Sequence, residues 1–150
     1  MARNDWQTFE EFSLDLANGV HNLGSDTFKV ALIDNGATEP AAGTASPEWV
    51  ADFSGNEVVG TGYTAGGYTL TGTSTSEDAG VTTFDDTGNV TWSQNGAGPT
   101  NIYWAILYND TADSKECVGF LDMGGPVSLQ DGDVTITWNA SGILTVTVSA

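Results

Sequence analysis

The apolar positions of this chain follow two different periods. Over residues 5–20 they recur at helical spacing, with Phe9, Phe12, Leu16 and Val20 on one side and Trp6 one turn earlier. Glu10, Glu11 and Asp15 fall on the other faces, so the pattern predicts a single N-terminal helix. Asp5 offers an N-cap and Gly19 a stop, while Thr8-Phe9-Glu10-Glu11 fits a capping box that would start the helix later. The aromatic stripe has two readings: packing against the rest of the domain, or an arm that docks on a neighbouring subunit.

Beyond the helix the period becomes two. Phe28, Val30 and Leu32 alternate with Lys29, Ala31 and Ile33 over residues 27–33, as in a strand with one strongly buried face. Further strands are predicted at 57–60, 68–75, 81–85, 89–93, 101–108, 117–123, 133–139 and 143–149, separated by Gly, Asp, Asn and Ser. Ile102 to Tyr108 is apolar on both faces, which marks a central strand covered on both sides. Val134, Ile136 and Trp138 alternate with threonines, as do Leu144, Val146 and Val148, and the turn Asn139-Ala140-Ser141-Gly142 between them predicts a hairpin. The expected fold is mainly β: one domain over residues 1–150, an antiparallel β-sandwich or jelly roll of about eight or nine strands behind one helix.

One long break interrupts the strands. Residues 34–56 carry Gly36, Pro40, Gly43 and Pro47, with a short helical turn predicted at 47–53. Loops of this length in compact domains are often contact features. Its Trp49, Val50 and Phe53 either close the open end of the sandwich or anchor an interface between chains. Together with Trp6 and Phe9 of the helix, these five are the candidate interface residues.

Composition changes the picture mainly by exclusion. Twenty Asp and Glu against three Lys and Arg give a net charge of −17. Nucleic acid and anionic membranes, both held through basic side chains, are therefore not expected partners. Five Trp, four Tyr and six Phe argue for a real core and against disorder. The single cysteine, Cys117, excludes an internal disulfide and fits folding in a reducing compartment. The start of the chain shows no secretory signal.

Catalytic chemistry is thinly represented. His21 is the only histidine and reads as a solvated turn residue; Cys117 reads as an inert, half-buried thiol. One His and one Cys cannot fill a zinc site. Asp85-Asp86 and Asp131-Gly132-Asp133 are the best places for calcium, but they lack a full loop motif and are also ordinary turn formers. Gly60-Thr61-Gly62-Tyr63-Thr64-Ala65-Gly66-Gly67 matches no phosphate-binding pattern and reads as a wide turn. No enzyme activity, cofactor or metal is expected.

The succession of Leu23-Gly24-Ser25-Asp26-Thr27-Phe28-Lys29-Val30-Ala31-Leu32, Glu57 to Gly67, Asn89-Val90-Thr91-Trp92-Ser93, Ala105-Ile106-Leu107-Tyr108 and Val134 to Asn139 ending in Gly142-Ile143-Leu144 resembles small structural proteins of tailed bacteriophages. The likeness covers nearly the whole chain. It implies a capsid decoration, or cement, protein: a β-rich subunit that forms a homo-oligomer, a trimer being favoured, and binds the major capsid protein lattice on the virion surface after a stay in the host cytoplasm. A tail or fibre component is the nearest variant. From another class, a carbohydrate-binding β-sandwich is the rival, with Trp6 and Trp49 available for stacking and Trp92, Trp104 and Trp138 placed in strands as core.

Overall fold

A computed structural model describes residues 6–149. The chain forms β1 (Trp6–Thr8), α1 (Phe12–Ala17), β2 (Phe28–Asp34), a π-helical turn (Trp49–Phe53) running into a 3-10 turn (Ser54–Asn56), β3 (Tyr68–Thr69), β4 (Thr73–Asp78), β5 (Val81–Asp86), β6 (Val90–Trp92), β7 (Ile102–Asn109), β8 (Cys117–Val127), β9 (Val134–Ile136) and β10 (Leu144–Thr147). A five-stranded antiparallel sheet in the order β1-β8-β7-β2-β3 faces a three-stranded sheet, β10-β5-β4, and a two-stranded ribbon, β6-β9. The fold is mainly β and sandwich-like, as the period-two pattern predicts.

The predicted helix over 5–20 shrinks to Phe12–Ala17, and Asp5, its expected cap, lies outside the described residues. Trp6–Thr8 instead pairs with the outer edge of β8, in the register Trp6↔Leu121, Gln7↔Phe120 and Thr8↔Gly119. The physical reason lies in the partners. A helix would put Trp6 and Phe9 on one side, whereas extended backbone sends them to opposite faces of the large sheet, where each finds its own apolar cluster. The capping box does not form, since Glu11 occupies the N-cap without a side-chain cap bond. Gly19 does mark the exit, at φ +76°.

β7 is central, as its two-sided apolarity predicts. Ile102, Ala105 and Leu107 face the main core with Phe28, Val30, Leu32, Val118 and Leu121; Phe84, Val90, Trp92, Val134 and Ile136 close that core from the second layer. Trp104, Ile106 and Tyr108 face the other way, into a second cluster with Ile33, Phe120, Phe9, Trp49 and Phe53. The 34–56 segment is thus a third layer covering the back of the sheet. Backbone bonds fasten it: Trp49 N–H donates to the Lys115 carbonyl (3.0 Å), Cys117 N–H to that of Pro47 (2.8 Å) and Glu10 N–H to that of Ala42 (2.8 Å).

Three strand expectations change. Residues 57–60 make only the isolated bridge Ile33↔Glu57, because the Glu57 side chain is drawn into the glycine-rich turn described below. The 68–75 run divides between layers: β3 pairs with β2, then the chain crosses at Leu70–Gly72 to become β4, with Gly72 N–H held by Asp86 Oδ1 at 2.8 Å. The predicted final hairpin also does not pair. β9 joins β6 and β10 joins β5, leaving only a bridge at Asn139↔Gly142.

Candidate functional site

The five residues proposed as interface anchors are dispersed by the fold. Phe9, Trp49 and Phe53 are buried in the back cluster, where Trp49 stacks on Tyr108 (centroids 4.9 Å apart, planes 5° apart) and Phe9 lies between Phe53 and Phe120. That burial withdraws these three as exposed anchors and also removes Trp49 from any sugar-stacking platform. Val50, at 57% exposure, remains on the surface. Trp6 is half-buried against Trp138, with centroids 5.1 Å apart.

His21 is buried, contrary to its reading as a solvated turn residue. Phe12 stacks on its ring, and Asn109 is the reason it is held there. Asn109 Oδ1 accepts the Thr111 and Ala112 N–H groups, so its Nδ2 is a donor; it contacts Asp26 Oδ2 at 2.7 Å and His21 Nδ1 at 3.2 Å. This network assigns the proton of neutral His21 to Nε2. Nε2 has no hydrogen-bond partner, and Asp15 Oδ2 stands 3.9 Å away. Cys117 is buried, and burial pushes its thiol well above the usual range. Such a thiol is a poor nucleophile.

The acidic turn residues serve the backbone. Asp86 Oδ1 holds Gly72 N–H, Asp85 Oδ1 holds Asp86 N–H (2.8 Å), and Asp133 Oδ1 holds Gln94 N–H (2.7 Å). Among the described residues, no group of three or more His, Cys, Asp or Glu is arranged to hold a metal ion. The glycine-rich segment is a turn pinned by Glu57, whose Oε1 accepts from Tyr63 Oη–H (2.7 Å) and Gly66 N–H (2.6 Å), while Tyr108 Oη–H donates to the Gly66 carbonyl (2.7 Å). Both phenols are raised above their ordinary pKa, chiefly by burial, so they remain donors. At Gly67, φ is +80° and a Cβ would stand 2.1 Å from the Val30 carbonyl oxygen, so only glycine fits.

The charge distribution is one-sided. Lys29 and Lys115, the two cations within residues 6–149, both bind Asp110, whose carboxyl they hold below the usual range against the opposing pull of burial. The rest of the described surface is acidic or neutral.

One cleft is a product of the unpaired final strands. Residues 137–139 form one wall and 141–145 the other, while Trp6, from the opposite sheet, lies at the base of a space of about 630 Å³. Trp138, Thr137, Asn139, Ser141 and Thr145 surround it, and none of the described residues that line it is charged. Reading the sequence alone assigns Trp138 to the core and 139–142 to a tight hairpin, so it misses this feature. One signal was present: from Val134 to Ala150 the sequence contains no charged residue, in a chain otherwise rich in acids.

Comparison of the chain with protein-family models, with curated proteins and with solved structures returns no match.

Proposed function

We propose that this chain is a non-catalytic structural subunit of a tailed-bacteriophage virion, which decorates the assembled capsid and stabilises it by bridging capsomers. The family resemblance in the sequence supplies the virion setting, and a trimer on the capsid exterior is the favoured assembly. The observation that carries a docking role is the open edge of β4. Thr73–Asp78 ends the three-stranded sheet without an outer partner, and Ser74–Asp78 is exposed throughout. With Phe9, Trp49 and Phe53 committed to the interior, this edge, which is longer than that of β10 on the other side of the same sheet, is an extended surface available for main-chain pairing with another subunit.

A decoration protein acts by mass action: it binds only the assembled lattice and so shifts the equilibrium toward the intact particle. The test is to add purified protein to expanded capsids that lack it and to follow binding and heat resistance. Binding with a higher disruption temperature is expected. Particles that fail to bind it, or that resist heat equally well without it, overturn the reading. In β4 the Asp78↔Val81 pair closes a two-residue turn, so alternation along the ladder points the Thr75 N–H outward. Thr75→Pro therefore removes an outward donor without breaking the β4-β5 ladder, and it is expected to weaken capsid binding while the monomer stays folded.

A further inference from the structure

Three asparagines of the chain precede glycine, at Asn18-Gly19, Asn35-Gly36 and Asn95-Gly96. Such pairs are chemically weak in water, because a glycine nitrogen, with no Cβ on its own residue to shield it, can reach the carbonyl carbon of the Asn side chain. The fold treats the three differently. Gly36 N–H donates to Asp34 Oδ1 at 2.7 Å and Asn35 Oδ1 accepts from Asn101 Nδ2 at 2.7 Å, so attacking nitrogen and target amide are both tied. Asn18 closes α1 in right-handed helical backbone, and Gly19 N–H bonds to the Leu16 carbonyl at 3.2 Å. Gly96 is exposed, and its N–H has no acceptor among the described residues.

The Asn95 side chain is set up as the other reactant. Its Oδ1 accepts the Ala97 N–H at 2.9 Å, which polarises the carbonyl and leaves Nδ2 without a partner among the described residues, as a departing group requires. The turn it belongs to is a staple. Asn95 N–H donates to the Leu129 carbonyl (3.0 Å), Gly98 N–H to the Asn95 carbonyl (2.8 Å) and Thr61 N–H to the Ala97 carbonyl (2.9 Å). Residues 95–98 thereby join the glycine-rich segment to the connection between β8 and β9, where Leu129 is buried in the main core.

We propose that Asn95-Gly96 is a site of spontaneous covalent modification that loosens this staple as the protein ages. Hydroxide takes the Gly96 amide proton, the nitrogen bonds to Asn95 Cγ, and the Cγ–Nδ2 bond breaks; Nδ2 leaves as ammonia once water returns the proton. Water then opens either C–N bond of the cyclic imide, giving aspartate or isoaspartate. In isoaspartate the main chain runs through Cβ and Cγ, so the carbonyl that accepts from Gly98 leaves the backbone and the turn is lengthened. The reading is independent of capsid decoration, since it needs only the folded chain and water. The test holds the full chain in mildly alkaline buffer, folded and in guanidinium, and follows the three pairs by peptide mapping with mass spectrometry. In the folded chain Asn95 should convert severalfold faster than Asn18 and Asn35, and in guanidinium that lead should close. A Cβ at Gly96 would meet nothing within 4 Å, so Gly96→Ala should melt like the parent while slowing conversion at Asn95 severalfold. Aged parent protein should melt below equally aged Gly96→Ala. Earlier conversion at Asn18 or Asn35, an equal lead in the unfolded chain, an unslowed Gly96→Ala, or a converted protein that melts unchanged would each overturn the proposal.

Discussion

Asn109 turns His21 into a buried neutral base with a fixed tautomer, and this has a consequence for stability. Burial lowers the His21 pKa below its ordinary 6.5, while Glu116 and Asp26 pull it upward and lose. The unfolded chain then binds this proton more readily than the folded one. Stability from His21 is therefore complete above about pH 6.5 and declines as pH falls through that value toward the lowered folded one, by at most about 1.4 kcal/mol per pH unit. Asp15 has the opposite sign. Its carboxyl is raised by burial and by Glu11 and Glu116, so its contribution favours the folded chain at low pH and is lost as pH rises through the raised value. Urea midpoints measured from pH 7.5 down to 5.5 are expected to fall, and His21→Gln should flatten that slope. An unchanged slope in the variant would assign it to carboxylates. Trp49 gives a second contrast at this scale. Trp49→Ala should destabilise by about 3–5 kcal/mol through the cavity left over Tyr108, whereas Val50→Ala should stay within about 0.5 kcal/mol; chemical denaturation of the pair measures both.

At the level of elements, the β4-β5 hairpin carries a correctable strain. Its two central residues, Ala79 and Gly80, have φ of +51° and +84°, the signs required by a type I′ turn. Ala79 bears the left-handed conformation without the side chain that suits it, so Ala79→Asn is expected to raise stability by about 1 kcal/mol, read as a higher melting temperature. The strands themselves were legible wherever one face is buried, because alternation survives in the sequence: Val134, Ile136 and Trp138 point inward and Thr135 and Thr137 outward, as read. Pairing was less legible. The turn chemistry at 139–142 predicts a hairpin, but β5 and β6 each capture one of the two strands, and nothing local records that competition. The same limit hid β1. Trp6, Phe9 and Phe12 fit helical spacing, and only the distant edge of β8 selects extended backbone for Trp6–Thr8. The cleft depends on the divergence of β9 and β10, so its residues were visible in sequence while their arrangement was not.

For the molecule as a whole, pairing of both described lysines with one aspartate makes the negative exterior nearly unbroken. Copies of such a chain repel one another until salt shortens the screening length, from about 8 Å at 0.15 M to about 3 Å at 1 M. Self-association and capsid binding are expected to strengthen with added salt, as measured by sedimentation. Weakening would show that the acids meet a basic surface on the partner.

The pairing of β1 with β8 has a temporal consequence. Trp6 waits for Leu121, so β1 is synthesised long before the strand it pairs with and is laid down late. Until β8 is synthesised, Phe9 has no Phe120 to pack on and the back cluster cannot close. During that interval like-charge repulsion between nascent chains keeps exposed aromatic side chains apart, and the acidity guards the unfinished protein as much as the finished one.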